Sequence, residues 1–240
     1  STILDVAPAT TQPDLPHPLE DSHRLIASKG PALTEIDPRT REVLALAELP
    51  APITDLIPSP GGQQIAAFAG EEIFVLDRAG EIRWSGRLPP SGPNPQATWS
   101  PDGRSFFLWS PSTEASPLTF VDLSAGESRP LELPAGAGQV MVAPDSQRAL
   151  VANAQGELQE WKLPSLTPGV QWKFEAPGND ALAQPRSHAV DWEAEQVFLG
   201  TFGGEVFAID LRSGSAMKST DHGPVAALQL TSTGGGTCWC

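Results

Sequence analysis

His188 stands between Asp180 and Asp191, a mixture of imidazole and carboxylates of the kind that can hold a divalent metal and activate water. Such spacing recurs by chance, so it counts for little unless the fold gathers the three side chains. His17, His23 and His222 show no paired spacing. The two cysteines, Cys238 and Cys240, form "CWC". One intervening residue makes a mutual disulfide awkward, and the pair reads as two small side chains on one face of a strand. No G-x-S-x-G turn, P-loop, zinc-hydrolase or dinucleotide motif occurs. These residues predict a chain with no catalytic group, no metal and no cofactor of its own.

The elements that would have to position any site are repetitive. "WSPDGRSFFLW" from Trp99 is answered by "PSPGGQQIAAF" from Pro58, "VAPDSQRALVA" from Val142, "WEAEQVFLG" from Trp192 and "LTSTGGGTCWC" from Leu230. A second mark recurs downstream of each: "EIDPRTREVLAL" from Glu35, "VLDRAGEIRWSG" from Val75, "VDLSAGESRPLEL" from Val121, "EWKLPSLTPGVQW" from Glu160 and "AIDLRSGSAMK" from Ala208. Apolar residues alternate or run in short groups with no sustained helical period. Strand-sized segments inside a superperiod of about forty residues predict repeated four-stranded sheets.

On these motifs the chain resembles a β-propeller of the WD40 superfamily. "SPDGR" is shared with TolB-like propellers, "DHGPVAALQL" from Asp221 resembles a WD40 blade opening, and "GELQEWKL" from Gly156 resembles its third strand. "VFLGTFGGEVFAIDLRSG" from Val197 would equally suit a quinoprotein-like blade. The turns "ANAQGE", "TFGGE" and "FAGEE" lack the aspartate that WD40 blades commonly place between second and third strands. The resemblance implies an all-β fold, a β-propeller of about six four-stranded blades with the last one incomplete.

The expected organisation is an N-terminal strand and Pro-rich loop over 1–22, then one propeller domain over 23–240. The first repeat uses Arg24 to Ser28, Leu33 to Asp37 and Val43 to Leu46, with Thr2 to Val6 as its innermost strand. Blades follow over Ile53 to Leu88, Ala97 to Leu133, Gln139 to Phe174 and Ser187 to Lys218. A sixth has only Val225 to Leu230 and Thr237 to Cys240. Even if Ile3 to Val6 joined it, that blade would hold three strands. Either the chain is a piece of a longer protein, which is the preferred reading, or another chain completes the blade at this edge.

Trp99 and Trp192, at equivalent positions before a turn, are expected to pack between blades, with Trp161 and Phe207 on third strands. Asp37, Asp77, Asp122 and Asp210 recur after apolar pairs and read as carboxylates that cap turns. Repetition argues against catalysis by any of them, because an active site is needed once. The loops "LPPSGPNPQ" from Leu88, "SPSTEASP" from Ser110 and "EAPGNDALAQPRSH" from Glu175 would share the opposite face, where long connections on a rigid scaffold often carry binding. Asn94, Trp109, Glu114, Asp180, Arg186 and His188 are the candidate contact residues.

A net charge of −14 with no cationic stripe among the 15 Lys and Arg excludes a phosphate-backbone partner on electrostatic grounds. No apolar run is long enough for a membrane-spanning helix. The expected function is a non-catalytic protein- or peptide-binding platform, read as the sensing part of a larger protein. The alternatives are a metal-dependent lactonase-like propeller enzyme, from His188, Asp191 and Asp180, and an assembly subunit whose open blade a partner completes. Cytoplasmic residence is expected, with a periplasmic or secreted protein after leader removal as the alternative.

Overall fold

A computed structural model describes residues 3–6, 24–88, 96–110, 118–131, 138–153, 156–174, 185–201, 205–221, 230–233 and 236–239. These residues form antiparallel sheets, with one short 3₁₀ turn at Pro60–Gly62 and no α-helix. Among them no helix is long and apolar enough to cross a membrane.

Five sheets have four strands in chain order. Sheet I contains β1 (Ile3–Val6), β2 (Arg24–Lys29), β3 (Ala32–Ile36) and β4 (Val43–Glu48). Sheet II contains β5 (Ile53–Pro58), β6 (Gln64–Ala69), β7 (Glu72–Asp77) and β8 (Ile82–Arg87). Sheet III contains β9 (Gln96–Trp99), β10 (Ser105–Trp109), β11 (Leu118–Asp122) and β12 (Glu127–Leu131). Sheet IV contains β13 (Gln139–Val142), β14 (Arg148–Ala152), β15 (Glu157–Lys162) and β16 (Thr167–Lys173). Sheet V contains β17 (Pro185–Asp191), β18 (Gln196–Thr201), β19 (Glu205–Asp210) and β20 (Ala216–Asp221). A hairpin of β21 (Leu230–Thr233) and β22 (Gly236–Trp239) follows.

The N-terminal strand pairs with β2, in the register Ile3↔Ala27 to Val6↔Arg24, so it is the first strand of sheet I and not a contribution to the last repeat. At the other end the described first strand of the hairpin is Leu230–Thr233, which meets the expected Val225 to Leu230 at Leu230. Leu230 pairs with Trp239 and Thr233 with Gly236. Residues 225–229 lie outside the described residues.

The chain divides into two compact units, one of residues 1–90, 99–106 and 121–128, the other of 91–98, 107–120 and 129–240. In the first, Ile26 and Leu33 of sheet I meet Leu56, Ile65, Ala67, Phe74 and Leu76 of sheet II. There β1 lies beside β5, first strand against first strand. Trp99 and Phe106 pack at 5.2 Å between ring centroids, Trp84 of β8 meets Phe106 edge-on at 5.4 Å, and Trp99 Nε1 donates to Ile57 O at 3.2 Å. The tryptophan before the repeated turn is thus an inter-sheet anchor, as its position suggested.

In the second unit, sheet IV buries both faces. Ala149 and Val151 of β14 join Phe107, Trp109 and Phe120 in one cluster, while Leu150 and Ala152 of the same strand join Phe174, Val197, Leu199 and Phe207 in another. Side chains of a strand alternate between faces, so a strand covered on both must be apolar throughout. That is why "ALVA" and "VFLG" read as continuous apolar runs. Here too first strands are neighbours, β13 beside β17 and β17 beside β21.

Candidate functional site

The two ends of each sheet are built differently. At one end lie the turns from first to second and from third to fourth strand, and aspartates organise most of them. Asp37 Oδ1 accepts from the backbone N–H of Arg39 and Thr40 at 2.7 and 3.1 Å, Asp122 Oδ1 from Ser124 and Ala125 at 2.9 and 3.1 Å, and Asp210 Oδ1 from Arg212 and Ser213 at 2.9 and 2.7 Å. Asp77 does the same for Ala79 and Glu81 and also binds the Arg83 guanidinium. Burial pushes the Asp77 carboxyl up, but the Glu81, Arg83 and Ala79 hydrogen bonds together outweigh it and hold the group below the ordinary range. For Asp210 the Ser213 N–H and hydroxyl lead the same lowering. In "SPDGR", Ser100 Oγ donates to Asp102 Oδ1 at 2.6 Å and accepts from Ser105 N at 3.0 Å, closing the turn through the side chain. The aspartates expected to cap turns do so, each engaged with its own backbone.

The turn end of sheets IV and V also carries an ion cluster that sequence reading missed. Arg148 reaches Glu160 at 3.6 Å and Glu195 at 3.7 Å, and its guanidinium lies 5.2 Å over the Trp192 ring. Arg212 donates to Glu195 at 2.7 Å. This pairing, then that with Arg148, keeps the Glu195 carboxyl below its usual range. Cation and ring stack, and both carboxylates are matched, so the cluster ties the sheets together and leaves no charge for a substrate.

The opposite end carries the second-to-third connections and the links between sheets, including the segments that sequence reading proposed for binding. Asn94, Glu114 and Asp180 lie outside the described residues, and Arg186 falls in β17 without a described side chain. Trp109, expected on the contact surface, is the last residue of β10 and is buried against Phe107, Leu118 and Phe120. Its indole is core: the run Phe106 to Trp109 is covered on both faces, so the loop begins one residue after the ring has been buried.

His188 is also buried, but its surroundings are polar. The side-chain amide of Gln139, first residue of β13, donates through Nε2 to His188 O at 3.2 Å, and its Oε1 lies 3.0 Å from His188 Nδ1. An oxygen on Gln139 facing Nδ1 requires the hydrogen on the ring, so the histidine carries its proton on Nδ1 and presents Nε2 as a bare acceptor. Among the described residues Nε2 has no hydrogen-bond partner, nor does the buried hydroxyl of the adjacent Ser187. Burial pushes the imidazole down to about 4, so it is neutral near pH 7. The clamp joins first strands of neighbouring sheets across 49 positions of sequence. A polar residue opening the otherwise apolar "QVMV" was its only local signal.

The grouping of His188 with Asp180 and Asp191 is not assembled by what is described. Asp191 Oδ1 caps its own turn, accepting from Glu193 and Ala194 at 3.1 and 2.9 Å, and His188 is turned to Gln139. The described residues contain no group of three His, Cys, Asp or Glu side chains placed to share a metal ion. Cys238 falls in β22 and Cys240 outside the described residues. No protein-family model and no curated protein sequence matches the chain.

Proposed function

We propose that this chain is a WD40-like β-propeller module that binds a protein or peptide through the ends of its sheets opposite the aspartate-capped turns, without catalysing a reaction of its own. What supports the propeller is the repeated four-stranded meander with first strand beside first strand, and sheets that bury both faces. The observation that carries the binding reading is the difference between sheet ends. At the turn end the polar groups are consumed by short hydrogen-bonded turns and matched ions. In sheets II to V the long connections, such as 111–117 and 175–184, leave from strand ends at the other end; the link 7–23 between β1 and β2 of sheet I is the exception. Long connections carried on packed sheets are suited to recognition. The acidic balance of the chain favours a partner with basic residues.

Selection of a displayed peptide library on the immobilised full chain tests this reading. The expected result is an enriched consensus whose binding disappears when residues 111–117 are replaced by Asn-Gly, while the melting temperature stays within about 2 °C of the wild type, a change of about 0.5 kcal/mol. No enriched sequence, or one that binds the replacement equally well, would overturn it.

A further inference from the structure

Sheets IV and V are tied at both ends of their seam, and the two ties are made of different chemistry. At the turn end Arg148 of β14 reaches Glu195 at 3.7 Å, and Arg212 donates to the same carboxylate at 2.7 Å. At the other end Gln139 of β13 holds His188 of β17 through both the ring and the backbone carbonyl. Between them lies an apolar cluster that includes Ala152, Val197 and Leu199, all fully buried. Ala152 stands directly across from Gln139, and Leu199 directly across from His188. Cross-strand partners share a face, so the amide and the ring border that end of the cluster.

Weak acid acts on only one of these ties. A guanidinium keeps its charge there, and the Glu195 carboxyl, held below its usual range first by the hydrogen bond from Arg212, keeps its own. The ring of His188 can take a proton at Nε2, and both nitrogens are then donors. Gln139 offers one oxygen, already facing Nδ1, and among the described residues nothing accepts from Nε2. Nor do the described residues place a carboxylate to offset the new charge. β13, β18 and β21, the strands beside β17, carry no ionisable side chain. On β17 itself Asp191 caps its own turn, and Arg186 is a cation. Farther out, Arg148 of β14 belongs to the ion cluster, Glu157 of β15 is bonded to Asn153, and Glu205 of β19 is paired with Lys218. Burial is accordingly what holds the imidazole down to about 4. β17 is also irregular beside the ring, since its register with β18 shifts between Pro185 and Ser187.

We propose that Gln139 and His188 form an acid-released latch: a second proton on the imidazole parts β13 from β17 and opens the seam of sheets IV and V at that end, while the Arg148–Glu195 tie holds the turn end as a hinge. The driving force is solvation. Opening returns the ring to water and to its ordinary value near 6.5, so the open form binds a proton that the closed form excludes. Linkage then raises the opening constant about twentyfold between pH 7 and pH 5. The latch is a property of the sheets and does not rest on the reading given above for the loop ends.

The test is labelling by 4,4′-dithiodipyridine, a thiol reagent that works in acid, on the full chain carrying Cys238→Ser and Cys240→Ser with one new thiol, Ala152→Cys or Val197→Cys. Rates are divided by those of the urea-unfolded chain at each pH. At the latch end, Ala152→Cys, the opening constant should rise about twentyfold from pH 7 to pH 5. It should then exceed that of Val197→Cys, at the hinge end, at least tenfold. Equal constants at pH 5 would mean that the chain opens as a whole and would overturn the proposal. So would a constant at Ala152→Cys that ignores pH. His188→Gln should abolish the rise. Gln139→Glu, whose carboxylate opposite Nδ1 lets the closed form keep the imidazolium, should cut it at least fivefold. A full rise in either folded variant overturns the latch.

Discussion

The turn ends of the sheets and the region around His188 satisfy backbone and polar groups in opposite ways. At the turns the backbone is satisfied mainly locally, an aspartate binding amides two or three residues on and a glycine taking the backbone angle that the turn requires, with the Arg148–Glu195 pair as a link between sheets. At His188 the needs are met across sheets, by an amide from another repeat, and one ring nitrogen is left bare among the described residues. The lesson is one of robustness. Local solutions repeat and tolerate loss of a member, whereas a non-local one occurs once and depends on the packing that creates it.

Glycine offers the harshest test of the turn end. At Gly80, φ is +81° and an added Cβ would sit 2.1 Å from Leu46 O, whereas at Gly61, with φ +77°, nothing lies within 4 Å. Gly80→Ala is expected to cost about 4 kcal/mol, combining left-handed strain with a backbone clash, and Gly61→Ala about 1 kcal/mol. Urea midpoints of the two variants check this. Equal effects would mean that the turn, and not its contact with β4, decides.

Titration comes next and probes the non-local side. His188 is held down to about 4 when folded and titrates near 6.5 when unfolded. Between these values the unfolded chain binds more protons, so stability present above pH 6.5 falls as pH drops, by about 3 kcal/mol once pH is below 4. Urea unfolding across pH 7 to 4 should show this slope, and His188→Gln should remove it. A slope unchanged in the variant would place the titration elsewhere and break the contrast. The smallest effect is expected from Asp122→Ala, about 1 kcal/mol, since only one of several similar caps is lost and its amides regain water. A larger drop in thermal melting would mean that the caps are not independent.

Much of this was readable beforehand, and the reason is locality. Asp37, Asp77, Asp122 and Asp210 announced turns because the carboxylate and the amides it binds are neighbours in sequence. Trp99 was recognisable as an anchor because repetition marks a position common to all sheets. Trp109 was misjudged because it adjoins a loop in sequence while its ring belongs to the cluster of Phe107 and Phe120. Gln139 gave almost no sign, since an amide has no fixed partner until the fold supplies one.

By itself, then, the sequence determined the strand periodicity, the capped turns, the approximate repeat length and the acidic balance, all properties of residues close together in the chain. Only the tertiary structure decided that β1 belongs to sheet I and that Gln139 sets the tautomer of His188. Each of these depends on which sheets meet, and that is settled by burial of two faces at once, a condition no single stretch of sequence contains.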